Sequence, residues 1–147
     1  MKNYELCNRK LPQRYKLFLL ANQEDLEKLL TELKVLSKET EWVEFKVDHY
    51  DPQEIGEYIS ALSNSACLHH KEKGYLVFGI EDKAHNVMGT HIKPKQKKVR
   101  GEELEHWLAR QLNPRIDFVI HEFPYSGQKK RQSISKTKGL MIAIIRN

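Results

Sequence analysis

A chain of 147 residues, 39% of them apolar and 31% charged, has the length of one domain and enough apolar residues to bury a core. Its formal net charge of +5 is modest, and its longest apolar runs, Leu17 to Ala21 and Leu140 to Ile145, are too short to form a membrane-spanning helix. The two cysteines, Cys7 and Cys67, offer neither a metal-binding spacing nor a disulfide framework, and no charged–apolar–small cleavage pattern opens the sequence, so the expected setting is a reducing cytoplasm with free thiols.

Residues 1–22 have weak periodicity and read as an N-terminal extension; within them Tyr15 to Ala21 is apolar but short. From Asn22 to Ser37, Leu26, Leu29, Leu30, Leu33 and Leu36 recur at helical spacing, with Asn22 as cap and Glu24 and Asp25 at the positive end of the helix dipole. Thr40 to Val47 changes to a period of two: Val43, Phe45 and Val47 face one way, and Trp42, Glu44 and Lys46 the other. Asp51-Pro52 opens a second helix, with Glu54 completing a capping-box-like pattern and Ile55, Ile59, Leu62 and Ala66 turned inward. After a polar loop from Leu68 to Gly74, the apolar run Tyr75 to Ile80 reads as a central strand covered on both faces.

Glu81 to Asn86 reads as a hairpin turn returning as a short strand, Val87 to Gly89. Gly101 to Leu112 reads as a third helix with Leu104, Trp107, Leu108 and Leu112 on one stripe, ended by Asn113-Pro114. Arg115 to Phe123 alternates as a strand, a basic loop follows, and Leu140 to Ile145 is the last strand. The order αβαββαββ predicts a single α+β domain over residues 23–147, a mixed β-sheet with packed helices. The final strand runs to Asn147 without a cap or tail, which leads to the expectation that this is the N-terminal module of a longer protein.

Charge is distributed unevenly. His91 to Arg100 carries Lys93, Lys95, Lys97, Lys98 and Arg100 without an acid, and Pro124 to Asn147 carries Lys129, Lys130, Arg131, Lys136, Lys138 and Arg146, again without one. These eleven of the 25 Lys and Arg residues leave 14 to face all 20 acids in the rest of the chain. Basic loops on an acidic body set up a directional field suited to a polyanion, although solvated lysine loops also serve solubility.

Glu44-Phe-Lys46 puts a carboxylate and an ammonium on one strand face, a pair suited to phosphodiester chemistry. Asp82, just beyond the central strand, is the best-placed second carboxylate, and oxygen-only ligands suit Mg²⁺ or Mn²⁺ rather than zinc. The same residues also read as an exposed strand face and a good turn former. The seven histidines have no zinc-site spacing. Trp42 and Tyr50 lie near the Glu44 face, where they either pack or stack a base.

Five blocks in register resemble the Schlafen/AlbA-type putative nucleic-acid-binding domain, from about Lys28 to Asn147. They are Glu39-Thr-Glu-Trp-Val-Glu-Phe-Lys46, Glu54-Ile-Gly-Glu-Tyr-Ile-Ser-Ala-Leu-Ser-Asn-Ser65, Gly74-Tyr-Leu-Val-Phe-Gly-Ile-Glu-Asp82, Val87-Met-Gly89, and Glu102 to Leu108 continuing through Asn113 to Phe118. The last block resembles the bacterial branch, whose members are typically N-terminal modules of regulator-type or ATP-binding proteins. The resemblance implies binding of DNA or RNA, chiefly through phosphates. It also implies an alternative, divalent-metal-dependent cleavage of structured RNA, in which the three family acids fall on Glu39, Glu44 and Asp82 with Lys46 beside them. Residues 39 and 44 have opposite parity, so Glu39 joins such a site only from the turn before the strand or across a bulge. Animal Schlafen nucleases build their RNA groove from two lobes, so a homodimer is the expected source of a second. A third reading is a protein-interaction module whose acids are purely structural. Where the family has Asn-Thr-x-Gly-Gly, this chain has the longer stretch Asn64 to Gly74.

Overall fold

The computed structural model of the protein describes residues 22–36, 40–125 and 138–146. The apolar segment Tyr15 to Ala21, Cys7, Glu39, Lys129, Lys130, Arg131 and Lys136 lie outside the described residues. Helix α1 spans Gln23–Lys34, and its start is fixed reciprocally: Asn22 Oδ1 accepts the Asp25 amide and the Asp25 carboxylate accepts the Asn22 amide. Strand β1, Val43–Lys46, leads into helix α2, Pro52–Leu68, where the Asp51 carboxylate accepts the amides of Gln53 and Glu54. The expected return bond from Glu54 is replaced, because its carboxylate pairs with His49 instead.

Helix α2 extends to Leu68 and ends in a Schellman motif. His70 adopts φ 56° while its amide bonds to the Cys67 carbonyl and that of Lys71 bonds to Ala66. Much of the longer Asn64 to Gly74 stretch is therefore helix.

Strand β2 is Lys73–Phe78. The expected strand Val87 to Gly89 contracts to a single antiparallel bridge between Ile80 and Val87. The expected helix start at Gly101 is also corrected. Lys98–Val99 (β3) and Glu102–Glu103 (β4) pair across Arg100-Gly101, whose φ angles of 52° and 81° give a tight turn matched to hairpin twist. Helix α3 then occupies Leu104–Gln111. Strands β5, Asp117–Tyr125, and β6, Lys138–Arg146, complete the fold.

The main sheet has the order β1-β2-β6-β5, with β1 and β2 parallel and the other pairs antiparallel. This is the expected α+β domain with a mixed sheet. Leu140, Ile142 and Ile144 of β6 join Val43, Phe45 and Val77 under the α1 leucines. The alternate residues Met141, Ala143 and Ile145 join Leu76 and Phe78 under Ile55, Ile59 and Leu62 of α2 and Leu104 and Leu108 of α3. A strand buried on both faces needs apolar residues at every position, which explains the unbroken runs in β2 and β6. Each such side chain contributes about 1.5–3 kcal/mol on burial.

Candidate functional site

Parallel pairing puts the C-terminal ends of β1 and β2 at one end of the sheet: Lys46 lies opposite Phe78, Phe78 opposite Met141, and Met141 opposite Glu122. The first residue of β6, Lys138, and the last of β5, Tyr125, emerge at that same end. The amides of Gly79 and Ile80 both donate to the Lys46 carbonyl, which ties the β2 exit to the β1 exit. Chain leaving β2 then folds back over this end. Asp48 accepts from the Thr90 hydroxyl at 2.7 Å and the His91 amide at 2.8 Å, and these bonds hold its carboxyl below the usual range. The Lys95 amide donates to the Glu122 carboxylate at 2.6 Å.

The Glu44–Lys46 pair forms as expected, at 3.1 Å on the α2-facing side of β1, each side chain about one-third exposed. Lys46 also lies over the Tyr58 ring of α2, 5.1 Å from its centre. The Tyr58 hydroxyl, and after it Glu44, hold the Lys46 ammonium above its usual range, against desolvation acting the other way. Tyr58 was not singled out from the sequence; the available signal was its place three residues after Ile55, at the rim of the buried stripe.

Asp82 is exposed in the turn after Ile80. Glu39 falls outside the described residues, and Thr40, which follows it, precedes the N-terminal end of β1. Asp82 by contrast follows the C-terminal end of β2. Among the described residues no three His, Cys, Asp or Glu side chains form a group able to hold a metal ion. Glu44 already has the Lys46 ammonium beside it. Glu44 and Asp82 therefore do not by themselves make a metal centre among the described residues.

The basic residues separate by environment. Lys95 pairs with Glu105 at 2.5 Å, Lys97 lies 4.8 Å over the Tyr50 ring, and Lys138 donates to the Val87 carbonyl at 2.9 Å. Lys93, Lys98 and Arg100 are exposed and form no ion pair among the described residues. Lys93 lines a groove of about 340 Å³ whose other lining includes Glu122, Pro124 and Gly139. Pro124 and Gly139 are register partners adjoining Tyr125 and Lys138, the two roots of the connection that carries Lys129, Lys130, Arg131 and Lys136. The segment from Lys93 and the described roots of the 126–137 connection thus meet at one sheet end, while Lys98 and Arg100 extend along the β3–β4 hairpin and Arg146 lies at the opposite end of β6.

Trp42 and Tyr50 each pack against the core and stay partly exposed. Trp42 lies against the α1-side core rather than on the Glu44 face, and Tyr50 lies against the α2-side core.

The sequence profile described as Schlafen, AlbA_2 matches residues 39–146. The chain belongs to the Schlafen AlbA_2 family. Membership agrees with the mixed sheet and with a module that handles nucleic acid. A search of curated proteins finds no match to this Schlafen AlbA_2 chain. Among its described residues, no helix is long and apolar enough to cross a membrane.

Proposed function

We propose that this chain is a nucleic-acid-binding module that holds its ligand mainly by phosphate contacts at the sheet end where β1 and β2 terminate. The observation that carries the reading is that Lys93 lines a groove with Pro124 and Gly139, the residues beside the roots of the connection whose sequence carries Lys129, Lys130, Arg131 and Lys136. Lysines that neutralise phosphates release counterions, so affinity depends steeply on salt. In a regulator-type protein such a module brings its attached domains to DNA, and a homodimer presents two such ends to one duplex.

Metal-dependent cleavage of structured RNA is a second reading, resting on family membership and on the partly exposed Glu44 carboxylate and Lys46 ammonium that share one face of β1. One experiment addresses both. Binding of labelled duplex DNA and of hairpin RNA is measured by anisotropy between 50 and 200 mM salt, with and without Mn²⁺ or Mg²⁺. Phosphate-led binding gives a log–log slope of about −0.9 per contact on duplex DNA, hence about −4 for roughly four to five contacts. A flat salt response rejects it. Mn²⁺-dependent RNA cleavage that disappears in Glu44→Gln moves the assignment to the nuclease. Absence of any binding at physiological salt moves it to a protein-interaction module.

A further inference from the structure

Strand β1 is a sheet edge, pairing only with β2 among the described residues. Three aromatic rings flank it: Trp42 just before the strand, Tyr50 just after it, and Tyr58 from α2 beside it. All three are partly exposed, Trp42 on the α1 side of the edge and Tyr50 and Tyr58 on the α2 side, so a strand using all three crosses the edge. Each has a lysine ammonium over its face: Lys71 at 4.9 Å from the Trp42 ring centre, Lys46 at 5.1 Å from Tyr58, and Lys97 at 4.8 Å from Tyr50. Trp42 and Lys71 also line an open groove of about 340 Å³.

We infer that the β1 edge is a track for single-stranded nucleic acid, with bases stacking on these rings and phosphates taken by the paired lysines. The inference rests on the proposed nucleic-acid reading and names its ligand class. A π-face attracts either an ammonium or a base, and base stacking is indifferent to sequence because every base has a π-face. An ammonium on a four-carbon stem leaves the ring by a few ångströms without losing its anchor. When a base takes the ring, the displaced ammonium stands near the phosphate that base brings. The exchange replaces the ring under the ammonium with a phosphate, beside the Glu44 carboxylate in the case of Lys46, and adds the stacked area. β1 spans about 13 Å at about 3.3 Å per residue, which accommodates a short run of stacked nucleotides at about 3.4 Å per phosphate. A duplex has its bases paired and stacked internally, so it cannot use the rings.

The test compares three ligands of equal phosphate number at one salt concentration: a single-stranded oligothymidine, the same backbone with abasic sites, and a duplex of half the length. A Trp107→Phe variant leaves Trp42 as the remaining tryptophan of the two, so its fluorescence reports on the track directly. The expected results are quenching of Trp42 by oligothymidine alone and tighter binding of that strand than of either comparison ligand. Trp42→Leu, Tyr50→Leu and Tyr58→Leu should each weaken single-strand binding by about 5- to 100-fold, with little effect on the abasic strand. Thermal melts identify any variant that fails to fold, and the Trp42 quench in the Trp107→Phe protein needs none of the three. Equal, salt-dependent binding of all three ligands without quenching would overturn the track and leave the phosphate-binding function standing. No binding to any of them would overturn both.

Discussion

Asp48 shows how single hydrogen bonds fasten the returning chain to the sheet end. Its carboxylate accepts from Thr90 and from the His91 amide, residues more than forty positions away. Those donors favour the ionised form, so its folded pKa lies below the ordinary 3.8. A depressed carboxyl pKa contributes stability that is complete above the unfolded value and is lost as pH falls through the folded one. Asp48→Asn should therefore cost about 1 kcal/mol at pH 7, a modest figure because the group is exposed. The difference between wild type and variant should close as pH drops below about 4. Urea melts at pH 7, 4 and 3 measure it, and a difference that stays constant with pH would mean the charge plays no part.

At the scale of elements, β2 approaches α2 closely at Gly74. A Cβ built on Gly74 would lie 2.8 Å from the Leu62 carbonyl oxygen and 3.1 Å from its carbon, both helix backbone atoms. Backbone cannot rotate aside, so Gly74→Ala forces α2 away from the sheet at a cost of about 1–3 kcal/mol. At roughly 2–4 °C per kcal/mol for a domain of this size, Tm should fall by about 2–12 °C. An unchanged Tm in a thermal scan would show that the helix yields freely.

The elements legible in the sequence were those with a sustained period. The α1 leucines, the β1 alternation, the Asp51-Pro52 start of α2 and the unbroken apolar runs of β2 and β6 all settle within a few residues of expectation. The β3–β4 hairpin was hidden because two-residue strands carry no period and Glu102-Glu103 also suits a helical first turn. At the site, Glu44 and Lys46 were legible from strand parity alone. The Asp48–Thr90 and Lys95–Glu122 links, formed between residues 42 and 27 positions apart, leave no local pattern to read.

Across the whole molecule, the question is whether binding follows net charge or charge position. The chain is only moderately basic, at +5, and lysines also decorate its other surfaces. Lys28, for instance, lies exposed on α1 beside Glu24 at 3.6 Å, on a helix that covers the opposite sheet face from α2. If position decides, Lys93→Ala and Lys98→Ala should each weaken duplex binding and lower the salt slope by about 0.9, one phosphate contact apiece. Lys28→Ala, which removes the same unit of charge, should leave both quantities where they were, because a surface charge more than about 8–10 Å from the ligand is screened at physiological ionic strength. All three side chains are exposed, so none of the substitutions disturbs the core. Anisotropy titrations at four salt concentrations distinguish the cases: equal losses for all three variants would make the attraction a property of total charge, whereas losses confined to Lys93 and Lys98 assign it to the surface that the returning 88–103 segment builds against the sheet.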